Sequence, residues 1–342
     1  MDMTERRSNI EALRIVCALM IVFVHSNFLS LERPNWEMLS TQTVTTLARL
    51  FLQFVCAPAT YAFILISGYF GIKVKLKSVA NLLFILFFWK AVTIIVRGIS
   101  SGWSASLFLH NINPFVGWFI PAYVVLLLFV PALNAFADSL ERDKLAKYLL
   151  LMVPIVILLD CSQIIKSFNG GYSALALMMA YLIGKYLGKP KTANCLCEKD
   201  RLPVFALIGF FIGLIGLWMF AYSSVLYCFR NHPRVSNYAL NSLCMYTFPI
   251  ALSCSVLLFL IFTRLKIQSR VINWIAMSAF PIIGYHLYSG FREQVGALYG
   301  QYDGLLSVGM IALHGLLVSA AILVIDQVRI VIWKKLITRV FH

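Results

Sequence analysis

Apolar stretches of membrane length recur along the whole chain, separated by short polar breaks. Read between those breaks, they give ten candidate spans at 10–31, 44–71, 78–98, 115–137, 147–165, 171–188, 203–225, 238–263, 272–290 and 304–327. A helix needs roughly 20 apolar residues to cross a bilayer. The second stretch is longer than that, and Pro58 near its middle predicts a kink or break. Residues 328–342 mix Ile, Val, Trp and Phe with Lys and Arg, which predicts a short basic tail lying along the interface. The pattern therefore predicts an all-α integral membrane protein: one membrane-embedded domain of about ten transmembrane helices, with no soluble domain. No internal repeat or inverted hydropathy symmetry of the transporter kind stands out.

Composition agrees with the pattern. Of 342 residues, 61% are hydrophobic and 13% charged, and the mean hydropathy is +0.83. A soluble domain keeps roughly a quarter of its residues charged, so this surface must face lipid. The net charge of +15 does not point to nucleic acid, because no basic recognition helix or aromatic RNA-binding motif accompanies it. Twenty of the 29 Lys and Arg residues fall at the termini and in the even-numbered connections, six in the odd-numbered connections and three inside spans. By the positive-inside rule both termini are expected to be cytoplasmic, in an inner (cytoplasmic) membrane. The first span carries Glu11, Arg14 and His25 and lacks a small-x-small cleavage site, so it is expected to be retained rather than cleaved as a signal. The eight cysteines are scattered. Cys195 and Cys197 lack the further ligands that a structural zinc site needs, so no metal is expected.

Ionisable groups inside spans are costly, and each needs a reason. Arg14 and His25 are eleven residues apart, which at about 100° per residue returns to nearly the same helix face, roughly 16 Å farther along the axis. Glu11, three residues before Arg14, shares that face. One stripe thus carries an acid and a base near the expected inner end and an imidazole in the outer half. In the purely structural reading, Glu11 and Arg14 pair at the interface and His25 bonds a neighbouring helix. In the functional reading, an inner basic group meets phosphates and an outer imidazole takes a proton from a hydroxyl. Other polar groups follow the same polarity: Ser67, Gly68, Lys73, Lys75 and Lys77 toward the inner ends, and Arg49, Lys90, Asp160 and His286 toward the outer ends. Lys90 and Asp160 are a candidate pair. Trp118 and Tyr172 lie at interface depth, as belt residues or as ligands. His314 is read as a helix–helix hydrogen-bonding residue.

These residues carry a resemblance to a known family. R-I-V-C-A-L-M-I-V-F-V-H at 14–25, approached by N-I-E-A-L-R at 9–14, resembles the Arg-x10-His first span of acyltransferase family 3. F-I-L-I-S-G-Y-F at 63–70 is similar to its Ser-Gly segment, and G-W-F-I-P-A-Y at 117–123 to its Trp-aromatic stretch. G-Y-S with Y-L-I-G-K-Y-L, within 171–187, and A-F-P-I-I-G-Y-H at 279–286 complete the series in family order. Pro281 and Ile283 stand where the family usually has Gly and Tyr, so local distortion of that helix is expected. Lysines stand where many members carry an arginine pair after Ser-Gly. The resemblance implies a membrane acyltransferase that moves an acetyl or other small acyl group from cytoplasmic acetyl-CoA to a hydroxyl of an envelope polysaccharide or lipid-linked sugar. It implies no permanently bound cofactor. The catalytic residues expected are His25 and Arg14, with Glu11, Ser67, Gly68, Lys75, Lys77, Trp118 and His286 binding substrate. The acyl group, acetyl or succinyl or longer, stays open. The main alternative is a transporter or flippase of lipid-linked oligosaccharide, with a glycan polymerase behind it.

Overall fold

A central helix, α1 (Ser8–Phe28), organises the bundle, and more than half of its residues are buried. In the computed structural model, which describes residues 7–28, 31, 33–161, 169–190, 204–228, 230–287, 302 and 304–340, fifteen α-helices are present among those residues and no strand. After α1 come the short α2 (Trp36–Thr41), α3 (Thr43–Cys56) and α4 (Ala59–Phe70). Next are α5 (Leu76–Ser101), α6 (Ala105–Asn111), α7 (Phe119–Ser139), α8 (Arg142–Cys161) and α9 (Ala174–Gly188). The rest are α10 (Val204–Cys228), α11 (Pro233–Leu243), α12 (Pro249–Arg264), α13 (Arg270–Ile275), α14 (Ala279–Tyr285) and α15 (Leu305–Val340). α1 packs against α3, α4, α12, α13, α14 and α15.

Six stretches among the described residues are long and apolar enough to cross a membrane: α1, α3 with α4, α5, α7, α10 and Leu305–Leu336 of α15. Large apolar side chains on their outer faces stay exposed, among them Phe205, Leu128, Leu317 and Val324, and a surface of that kind is suited to lipid. The remaining expected spans are shorter or divided. α9 and α12 have 15 and 16 residues. The stretch 238–263 is split into α11 and α12 by a turn at Cys244–Phe248, with Pro249 opening α12 where its missing N–H costs nothing. The stretch 272–290 is split into α13, a 3-10 turn at Ala276–Ser278, and α14. Pro281 lies in the first turn of α14; it lacks an N–H and crowds the preceding carbonyls, which fits the tightened backbone before it. The span ends at 29–30, 162–165 and 288–290, the Cys195–Cys197 pair and the last two residues of the tail lie outside the described residues. The tail from 328 is not a separate element up to Val340, because α15 runs through it unbroken.

The long second stretch breaks at Ala57-Pro58 between α3 and α4. The Ser255 hydroxyl donates to the Pro58 carbonyl at 2.8 Å, so a backbone acceptor near the break is satisfied inside the protein, as lipid-embedded backbone requires. α4 then lies unusually close to α9. A Cβ on Gly68 would overlap the Tyr181 carbonyl, one on Gly184 the Leu65 carbonyl, and one on Gly188 would come within 2.5 Å of the Tyr69 oxygen. Small residues let two backbones approach in this way. Gly184→Ala should therefore lower stability by about 1–3 kcal/mol through overpacking. Gly213→Ala, which meets open space on α10, should leave stability unchanged or slightly raised. Thermal unfolding of the purified variants in detergent checks both; a Gly184→Ala midpoint equal to wild type would contradict the close contact.

Both ends of α1 are fixed. At its start, the Ser269 N–H donates to Ser8 Oγ at 3.0 Å and Asn9 Nδ2 donates to the Phe262 carbonyl at 2.9 Å. At its finish, Asn27 Nδ2 donates to the Arg49 carbonyl at 2.8 Å, and Arg49 Nε donates back to Asn27 Oδ1 at 3.1 Å. Arg14 and His25, lying between these anchors, are held in register against α4, α7 and α14.

Candidate functional site

Two cavities lie along the stripe of α1. The first, about 320 Å³, is lined by His25, His286, Trp118, Tyr172, Tyr246 and Trp218, with Arg33 and Gln53 among its other polar groups. The second, about 330 Å³, is lined by Arg14, Ser67, Lys73, Ser78, Asn81 and Tyr123. Both volumes fall at the small end of the range for ligand sites. The described linings share no residue.

In the first cavity two histidines 261 positions apart meet. His25 Nδ1 and His286 Nε2 are 2.6 Å apart, and the rings stack with centroids 4.8 Å apart. His286 Nδ1 lies 2.9 Å from the Ile282 carbonyl. A carbonyl only accepts, so Nδ1 of His286 carries the hydrogen. In a neutral ring Nε2 then accepts, and His25 Nδ1 donates to it. The lone pair of His25 is thereby assigned to Nε2. A base whose tautomer is set by a second group is the arrangement general-base chemistry needs.

The aromatic wall of this cavity is built by the irregular segments. Tyr172 packs against Trp118 at 5.0 Å and against Tyr246 at 4.6 Å, centroid to centroid. The Tyr246 N–H donates to the Gly170 carbonyl at 3.0 Å, and Gly170 N–H donates to Asp160 Oδ1 at 2.8 Å. Thr247 also donates its hydroxyl to Asp160. Asp160 therefore ties the turn at 169–171 to the turn at 244–248. It does not pair with Lys90, whose charge lies near Arg97 instead. Gly170 and Gly171 have positive φ, and a Cβ at Gly171 would press on the Tyr61 hydroxyl, so this tight turn suits glycine.

In the second cavity Arg14 Nη1 pairs with Glu11 Oε1 at 2.8 Å. Glu11 is buried and does not line the cavity, so it holds the guanidinium from behind. Ser67 lines the cavity, whereas Gly68 faces α9 as a packing residue. Lys75 and Lys77 are exposed and outside the lining; it is Lys73, in the extended segment before α5, that reaches it. The structure thus brings together His25, His286 and Trp118 in one cavity and Arg14 and Ser67 in the other. Lys73, Tyr246, Arg33, Gln53 and Asn81 are lining residues that the proposed site set omits. Among the described residues no three His, Cys, Asp or Glu side chains converge as metal ligands.

A family model described as an acyltransferase domain matches residues 7–325. The chain belongs to acyltransferase family 3. No curated protein and no solved structure matches it. The match spans nearly the whole chain, so both cavities fall within the family domain, and this protein is a membrane acyltransferase. The Arg-x10-His segment of the acyltransferase puts its two polar ends in different cavities. The Ser-Gly segment divides its two residues between a cavity wall and a helix contact.

Proposed function

We propose that this acyltransferase moves a small acyl group, acetyl in the first instance, from cytoplasmic acyl-CoA to a hydroxyl of a cell-envelope glycan. The observation that carries this reading is the His25–His286 pair at an aromatic cavity, one stripe of α1 away from a second cavity holding Arg14 and Lys73. The donor's phosphates lie with Arg14 and Lys73, cations suited to phosphate. Its long, unbranched arm points toward His25. A sugar ring rests on Trp118, Tyr172 and Tyr246, flat apolar faces with polar edges.

In the reaction, His25 Nε2 accepts the proton of the acceptor hydroxyl as its oxygen attacks the thioester carbonyl. A carbon–oxygen bond forms, the carbon–sulfur bond breaks, and the departing thiolate takes the proton from the imidazolium. The His286 ring accepts from His25 Nδ1 throughout and supports the cation that forms transiently. Arg14 acts at the donor rather than at the reacting atoms, and Glu11 positions it. A flippase passage draws less support, because aromatic rings fill the space between the two cavities.

Lys73→Ala should raise the KM for acetyl-CoA roughly tenfold or more, the loss of one hydrogen bond to a charged group. Lys75→Ala and Lys77→Ala should stay near wild type. Steady-state release of CoA thiol by membranes supplied with an envelope glycan fraction measures this. A KM that responds to Lys77 and ignores Lys73 would overturn the placement of the donor.

A further inference from the structure

The two cavities are separated by four aromatic rings. Phe119 belongs to the His25 cavity, and it touches three rings that line the Arg14 cavity. Its centroid is 6.4 Å from Phe63, 5.9 Å from Tyr123 and 6.3 Å from Phe280, and Tyr123 and Phe280 are 5.4 Å apart. Phe63 and Phe119 are buried. The Tyr123 hydroxyl faces that of Ser67, so its polar edge is turned toward the Arg14 side. No ionisable side chain stands among the four. From this arrangement we infer that the rings Phe63, Phe119, Tyr123 and Phe280 form a septum that selects the acyl group by charge, passing acetyl and short neutral acyl groups and rejecting succinyl and malonyl.

The inference rests on the acyl-transfer reading above. An acyl-CoA whose phosphates sit at Arg14 must carry its acyl end past Phe119 to reach His25. Rings at contact distance can swing aside for a neutral chain, since side-chain rotations are fast and apolar contacts re-form around it. A terminal carboxylate arriving at the same rings loses its water and gains no cation or N–H donor. The residual penalty for an ion in such surroundings is several kcal/mol. Length alone is a weak filter here, because a short unbranched acyl chain is no wider than the arm behind it. Charge is the property this wall reads.

The test compares butanoyl-CoA with succinyl-CoA, which have the same number of acyl carbons and differ in the terminal carboxylate. Membranes bearing the full chain are given acetyl-, butanoyl- or succinyl-CoA with an envelope glycan fraction, and the acylated glycan is quantified by mass spectrometry. Wild type should transfer acetyl and butanoyl and discriminate against succinyl by on the order of a hundredfold or more. Phe280→Ser, which lets water between the rings, should raise the succinyl-to-butanoyl ratio at least about tenfold. Phe280→Leu should keep the wild-type ratio. Phe63→Ser is the second variant should Phe280→Ser not accumulate. Succinyl transferred as readily as butanoyl by wild type would overturn the septum and leave acyl transfer standing. An unchanged ratio in both serine variants, or loss of all transfer in Phe280→Leu at wild-type protein levels, would also overturn it. Absence of any acyl increment from all three donors would instead remove the acyl-transfer reading, and the septum with it.

Discussion

His25→Ala should lower the turnover of acyl transfer about 10²–10⁴-fold, the usual contribution of a positioned general base, with little change in the KM for acyl-CoA. Two features make the effect this large. His25 sits at the cavity where the acceptor is proposed to lie, and its Nδ1 is committed to His286 at 2.6 Å, which leaves proton transfer to Nε2. The donor cations lie in the other cavity and are untouched by the change. The partner sharpens the expectation. His286→Gln retains an amide oxygen that can accept from His25 Nδ1–H, and should keep more activity than His286→Leu, which cannot accept. Initial rates of CoA thiol release at matched membrane levels measure all three. Equal activity in His286→Gln and His286→Leu would show that His286 does not set the tautomer of His25.

The largest loss of stability is expected at the far end of α15. Asp326 is fully buried, and the Arg329 beside it nearly so. Arg329 Nε and Nη2 donate to the two carboxylate oxygens at 2.6 and 2.9 Å. Trp89 Nε1 on α5 donates to Oδ1 at 3.0 Å, and Ser278 Oγ in the 3-10 turn donates to Oδ2 at 2.8 Å. One carboxylate thus joins three elements. Met277 and Ala279, on either side of Ser278, line the Arg14 cavity. Asp326→Ala would leave a buried guanidinium uncompensated, and removing one partner of a buried pair costs about 3–5 kcal/mol. Replacing both partners by apolar residues, as in Asp326→Leu with Arg329→Met, should recover most of that loss, because no charge is then stranded. Thermal unfolding in detergent distinguishes the two. A double variant as unstable as the single one would mean that the hydrogen bonds to Trp89 and Ser278, rather than the stranded charge, dominate.

Much of this was legible in the residues themselves. The runs of apolar residues identify a membrane protein because no other solvent accepts such a surface, and the spacing of eleven places Arg14 and His25 on one face by helix geometry alone. Contacts between elements were not legible in this way. That His286 meets His25 depends on how α14 packs against α1, across 261 positions. The turn at Cys244–Phe248 is hidden inside an apolar run, since Met245, Tyr246 and Phe248 suit a span as well as a cavity wall, so Tyr246 gave no signal. Among the lysines after Ser-Gly, the choice of Lys73 over Lys75 and Lys77 is made by an extended segment without helical periodicity. Gly68 illustrates the reverse difficulty: a glycine beside a serine reads as part of a site, yet its lack of a Cβ serves the contact with α9. Asp326, near the expected end of the last span, resembled an interfacial charge until its burial against Trp89 was seen.

The central claim is that a donor at Arg14 and a base at His25 act together to acylate an envelope glycan. Mass analysis of envelope glycans from cells expressing wild type, His25→Ala and Arg14→Ala at matched membrane levels tests it most directly. An acyl increment present with wild type and lost or strongly reduced in both variants is the expected result; an increment that persists undiminished in His25→Ala would contradict it.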